Sequence, residues 1–444
     1  MAEIRRPLRR LAALVACLIL GLIAALARPA GVPTTHAQTS AIAVTGDQAE
    51  NDFPTGVTFK LTFNAPSPPK EVRVLYTLAP DGTGATAVAD CNGTATVECS
   101  FALTSGAGIV IIPGANITYH WDITDEAGDH LTTPDKLYVH EDTRFTFKTL
   151  KSANVTLYYH SGSEANAQSV LDAAVQTLQT VGTLEQTQVT FPVKVFLYAT
   201  ADEMQPAIAP GGLGRGVITL GEVVYSDTAM VSADIDTLDI TRHEVAHIVT
   251  GQATKGPYGI ASWLNEGISV ASQKQPLAAD TDALQAAIRG NRVLSIPELS
   301  SSASGSSADT VDLFYGEAGA IVKHLIDAHG ADKFAQLLAT FKDGSTADDA
   351  FQKVYGFGEL GLENEWRQSV GLSPRAVAAT PSSQPTTDAA EAGATAQSTA
   401  PATTGSTSAS RGGMGALTIG IIAALGLMVV GAGSGAYVTL RRRM

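Results

Sequence analysis

In a 444-residue chain with nine histidines, two of them stand four residues apart in His243-Glu244-Val245-Ala246-His247, and an Asn265-Glu266-Gly267 follows eighteen residues after the second. On a helix, side chains four apart lie one turn above another and project together. Two imidazoles so placed grip one metal ion at roughly 2.0–2.1 Å. Glu244 borders that face without being a ligand, so it can take a proton from an activated water and return it to a leaving group. A catalytic zinc also needs a third protein ligand and an open position, and Glu266 is the candidate for the third. His243, His247 and Glu266 are therefore the expected zinc ligands, and Glu244 the expected base.

These residues need two converging helices. The pattern predicts one over Asp236 to Thr250, with Leu238, Thr241, Val245 and Ile248 along one side and Gly251 as its stop. Gly251, Gly256, Pro257 and Gly259 then let the chain turn back, and a short helix starting near Ser262 presents Glu266. Trp263 and Leu264 read as packing that fixes this second helix. Upstream lie the strand-like runs "FTFKTL" and "VTLYYH", the helical "EANAQSVLDAAVQTLQTVG", a buried-looking strand "FPVKVFLYAT", and a strand pair "GRGVITLG" and "VVYSD". Downstream everything reads as helical. "FYGEAGAIVKHLIDAHG" closes at Gly330 and "DKFAQLLATFKDG" at Gly344, and Ser345-x-x-Asp348 suggests a capping box for the next helix. Strands first and helices after define an α+β domain over residues 144–371.

"HEVAH" and "WLNEG" at this separation resemble the gluzincin metallopeptidases, the clan that includes thermolysin and the aminopeptidase N family. The strands-then-helices order is also similar to peptidase MA-like domains of bacterial surface proteins. The resemblance implies an antiparallel sheet, active-site helices and a C-terminal helical half. It makes His243, His247 and Glu266 the zinc ligands, Glu244 the general base, and a peptide or protein the substrate. Tyr315, 49 residues after Glu266, is similar to the tyrosine that donates to the oxyanion, with His324 and His329 as more remote candidates. Two features depart from the family. Thermolysin-like enzymes carry an Asp four residues after the glutamate ligand to orient a histidine, but Val270 stands there, which leaves Gln273 or a carbonyl for that task. The aminopeptidase Gly-x-Met-Glu-Asn is missing as well. Glu222 lies at about the right distance without that context, which favours endopeptidase action, and "GRGVITLG" is a strand that a peptide could join. Two other readings remain open: an inactive relative that binds a peptide, and an envelope-structural or adhesion protein that works through its N-terminal module.

That module, residues 38–143, reads as short strands separated by turn residues: "GVTFKLTF", "EVRVLYTL", "TVECSFAL", "GIVIIP", "ITYHWDIT" and "KLYVH". The spacing predicts a β-sandwich. Before it, the basic and then apolar residues 1–37 have the form of a secretory signal. After residue 371 comes a Ser/Thr/Pro/Ala stalk to 413. An uncharged stretch from Met414 to Leu440 follows, long enough to cross a membrane as one monomeric anchor, then Arg441, Arg442 and Arg443, which face the cytoplasm. Most of the chain is then expected outside the cell membrane. The net charge of −14 becomes more negative once the arginine-rich ends are set aside, which excludes nucleic acid as a partner. Export makes a Cys91–Cys99 disulfide the expected state. A tight turn at Asn92-Gly93 would pair Cys91 with Thr94, so the bridge needs another register. Asn92, Asn116 and Asn154 open glycosylation sequons by pattern.

Overall fold

The computed structural model describes residues 41–375 except 81, 107–108, 209–218, 257–258 and 302–307. The expected signal sequence, most of the stalk, the apolar stretch 414–440 and the tail lie outside the described residues. Among the described residues no helix is long and apolar enough to cross a membrane.

Residues up to about 140 form two antiparallel sheets. One has the order β1(Ala43–Asp52)–β2(Gly56–Asn64)–β6(Thr96–Thr104)–β5(Asp90–Gly93). The other runs β4(Thr83–Val88)–β3(Pro69–Ala79)–β7(Asn116–Asp125)–β8(His130–Thr132), with β9(Lys136–Val139) also on β7. Alternation decides the faces: Val57, Phe59, Leu61 and Phe63 of β2 meet Ile117, Tyr119, Trp121 and Ile123 of β7 in one core. Asp47 ties β1 across, accepting from Tyr119 Oη at 3.1 Å and Trp121 Nε1 at 3.2 Å. Cys91 and Cys99 stand opposite each other in β5–β6 and are bridged. The strands continue through Asn92-Gly93 and turn after Gly93, so the register needed for the bridge is the one adopted. "GIVIIP" is not a strand. Ile111 and Ile112 are buried in a connection, Ile111 in the sandwich core and Ile112 against the next sheet.

That next sheet has the order β10(Lys148–Ser152)–β11(Val155–Tyr159)–β12(Val193–Tyr198)–β14(Thr228–Ser232)–β13(Gly221–Tyr225). The resemblance implied an antiparallel sheet, but β11, β12 and β14 run parallel and only the two edge strands are antiparallel. The reason is connectivity: the 21-residue helix α1(Glu164–Leu184), capped by Ser163 Oγ, carries the chain from β11 back over the sheet to β12. A sheet with a parallel centre must be covered on both faces. Along β12, Val193, Val195 and Leu197 enter the core shared with α1, while Phe196 and Tyr198 enter a second core with Ile112, Met204 and Met230. The sandwich covers this second face, held by Lys194 Nζ on the Gly114 carbonyl at 2.8 Å and by Tyr225 Oη on that of Val110 at 2.5 Å. The expected pair "GRGVITLG" and "VVYSD" is displaced along the chain: the hairpin joins Gly221–Tyr225 to Thr228–Ser232, and residues 214–218 lie outside the described residues.

After α2(Ala201–Ile208) and the hairpin the chain is helical: α3(Thr237–Ala253), α4(Ser262–Ser272), α5(Ala278–Gly290), α6(Ile296–Ser301), α7(Ala308–His329), α8(Ala331–Lys342), α9(Ala347–Tyr355) and α10(Glu359–Ser369). Gly251 does not stop α3, which runs on to Ala253, and Leu238 is exposed. The cap of α9 is Thr346 with Asp349, one residue later than expected, its hydroxyl accepting from the Asp349 N–H. Trp263 and Leu264 are fully buried in the helical core, as expected. The fold continues past 371: Arg367 Nε donates to the Ser373 carbonyl at 2.8 Å, and Arg375 pairs with buried Glu363.

Candidate metal centre

A helix buried on every side is ordinarily apolar, yet α3 buries Thr241, Arg242, His243, Glu244, His247 and Thr250. Most have partners: Arg242 donates to Asp239 at 2.7 Å, and the Thr250 hydroxyl to Glu185 Oε1 at 2.6 Å. The two histidines have each other and Glu266. His243 Nε2 lies 3.2 Å from His247 Nε2 and 3.2 Å from Glu266 Oε2, and His247 Nε2 lies 3.4 Å from the same oxygen. Among the described residues this is the one group of three whose ligand atoms could hold a metal.

Two helix contacts bring Glu266 there. α4 runs beside α3, and behind it Gly267 lies so close to α7 that an added Cβ would stand 2.5 Å from the Ala318 carbonyl oxygen. One turn on, a Cβ at Gly319 would sit 2.4 Å from Val270 Cγ1. The glycine of "NEG" is therefore the surface on which α7 closes.

The donor set fits a divalent ion. Ligands at roughly 2.0–2.1 Å around a tetrahedral centre stand about 3.3–3.4 Å apart, and the three atoms here stand 3.2, 3.2 and 3.4 Å apart. Burial would raise the Glu266 carboxyl, but the charge on His247 and the histidine hydrogen bonds hold it down at about 2. Burial would likewise lower His247, and Glu266 holds it up. His243 is lowered by burial and is the imidazole that stays neutral.

Glu244 is fully buried next to this trio, and neither of its carboxylate oxygens has a hydrogen-bond partner of ordinary geometry. Burial lifts it to about 8; His247 opposes the rise, and Glu266 and Glu222 add to it. Edge strand β13 passes directly over it: a Cβ on Gly221 would stand 2.7 Å from Glu244 Oε1. Glu222, the next residue, is raised by burial to about 7 and its charge is felt at Glu244, so the structure brings it to the site. Tyr315 is buried with its ring edge-on to that of His243, centroids 6.0 Å apart. His324 and His329 are elsewhere, both directed at Glu365 of α10. The Asn154 amide donates to the carbonyls of Val189 and Phe191, so this sequon asparagine is committed to the fold. Sequence reasoning missed Gly221 and Asp280; the latter is buried and lines a small cavity with His243 and Tyr315. A "G-E" pair opening a strand was the only signal for Gly221, and nothing local marks Asp280.

A mixed sheet carrying a buried HExxH helix, with a glutamate from the next helix closing the ligand set, defines a gluzincin-like peptidase domain. Residues 172–371 match the family model of the Peptidase MA superfamily, in support of a gluzincin-like peptidase domain. No curated protein matches the chain. Among solved structures, an M1 zinc metallopeptidase mutant from Deinococcus radiodurans is 12% identical, covering 76% of this chain and 97% of that one at a TM-score of 0.34. A two-domain M1 zinc metallopeptidase mutant bound to L-arginine is 13% identical, covering 76% and 94% at 0.36. A family 56 carbohydrate-binding module, described as a β-1,3-glucan binding domain, is 17% identical over 22% of this chain and 96% of its own at 0.15. Likenesses at these TM-scores carry no argument; the family match and the site geometry do.

Proposed function

We propose that the protein is a zinc-dependent peptidase, with His243, His247 and Glu266 holding the ion. The observation that carries this reading is the triangle of buried ligand atoms at tetrahedral edge length with the fully buried Glu244 carboxylate beside it. Zinc bound there supplies a Lewis acid and makes water acidic enough to lose a proton near neutral pH. Glu244 takes the proton from the attacking water and passes it to the leaving amine; its upward shift suits a group that must hold that proton in transit. Tyr315 donates to the oxyanion from the far side of His243.

Endopeptidase action is the reading carried by the missing Gly-x-Met-Glu-Asn. The position of Glu222 beside Glu244 favours a second one, removal of residues from a free N-terminus, because a half-buried carboxylate at the edge strand can bind a substrate ammonium. The apolar residues 414–440 and the arginines after them support anchoring in the cell membrane with the peptidase outside.

Three measurements test these readings. The full chain should carry zinc and cleave peptides, and Glu244→Gln should keep the zinc and lose cleavage by about 10³-fold or more. N-acetylated peptides cut as fast as free ones support endopeptidase action, and an absolute need for a free amine supports the second reading. Activity should sediment with membranes and become soluble when residues 414–444 are removed. Equal cleavage by wild type and Glu244→Gln would end the enzyme reading.

A further inference from the structure

Zinc-binding histidines hold their orientation by donating the second ring N–H to an acceptor, usually a carboxylate or carbonyl. At His243, Nε2 is committed to the Glu266 side, which leaves Nδ1 for that partner. Val270, where thermolysin-like enzymes carry the orienting Asp, offers only methyl groups, and they are packed against Gly319.

The structure supplies an alternative from another helix. His243 and Val270 line a cavity of about 10 Å³ whose other walls are Ile240, Gln273, Leu277, Asp280 and Tyr315. That volume is enough for one water. Besides the imidazole, its polar walls are Gln273, Asp280 and Tyr315. Gln273 Oε1 is buried and has no hydrogen-bond partner. Asp280, in the first turn of α5, is only 4% exposed. A buried carboxylate on an apolar wall is costly unless it answers a donor, and a buried amide oxygen without a donor is costly too. The position of Asp280 is fixed by the fold, since α7 approaches so closely at Gly316 that a Cβ there would lie 2.3 Å from the Asp280 carbonyl oxygen.

We propose that Asp280, together with Gln273, is the positioning pair of His243, accepting its second N–H across this cavity, directly or through the single water it holds, in the role lost at Val270. Burial, with Asp312 adding to it, raises the Asp280 carboxyl to about 8. The inference rests on the metal reading of the trio.

The test is zinc affinity of the full chain, measured by competition with a chromogenic chelator, with turnover as a second readout. Asp280→Asn and Gln273→Leu should each weaken zinc binding by about 10–100-fold. Asn mimics the protonated acid in shape and hydrogen bonding, so the metal-free melting temperature should hold. Gln273 is only half-buried, so its variant keeps the test available should Asp280→Asn not fold. Val270→Asp placed in the Asp280→Asn background should return the affinity to near wild type, which a merely structural loss would not allow. Affinities within twofold of wild type in both single variants, or a loss that Val270→Asp does not restore, would overturn the positioning role. A wild-type chain that takes up no zinc would overturn the metal reading itself.

Discussion

Tyr315 sits at the helix face nearest the metal centre, buried at 5% exposure and edge-on to His243. If it donates to the oxyanion, Tyr315→Phe should lower kcat by about 10²-fold, with KM and zinc content nearly unchanged. Unchanged turnover would make it a packing residue of the helical core to which it also belongs. The candidate ligands are legible in the amino-acid sequence, because four-residue spacing on one helix is a local property and the Glu266 spacing is nearly one. Glu222, Gly221 and Asp280 are not readable in the same way. Their importance comes from how closely a strand passes Glu244 and how closely α7 presses on α5, and a sequence carries no local mark of such approaches.

Elements follow the same division. Helices with clear periodicity fall where the pattern predicts, and β2, β3, β6 and β7 do so because alternation shows which face is buried. Boundaries moved where tertiary contacts override local signals. Gly251 stays helical because the next turn of α3 is still packed, with Ala253 buried and the Thr254 hydroxyl bonded back to the Thr250 carbonyl. The apolar "GIVIIP" reads like a strand and instead divides its isoleucines between two cores. Beyond the last helix, side-chain contacts continue to Arg375. Arg375 donates to the Val293 carbonyl at 2.7 Å and pairs with Glu363, a carboxylate 2% exposed that also accepts from the Ile296 N–H. Removing that partner leaves a buried charge uncompensated, so Arg375→Ala should destabilise the helical half by about 3 kcal/mol in urea unfolding followed by tryptophan fluorescence. A change under about 0.5 kcal/mol would mean that the pair is an ordinary surface contact.

At the scale of the whole molecule, the parallel-centred sheet organises everything else. One face takes α1 and α3 and so fixes the histidines; the other is closed by the β-sandwich, which makes that module part of the support of the half that carries them. An acidic chain with buried Glu244 and Glu266, and half-buried Glu222, around two histidines is well suited to hold a cation and poorly suited to polyanions. The central claim is that one divalent ion sits in that cluster. Anomalous scattering at the zinc edge, from crystals of the chain purified without chelator, tests it most directly. A single strong peak is expected about 2.0–2.2 Å from Nε2 of His243, Nε2 of His247 and a carboxylate oxygen of Glu266. A zinc-loaded crystal whose peak lies elsewhere, with Glu266 turned away from both imidazoles, would contradict it.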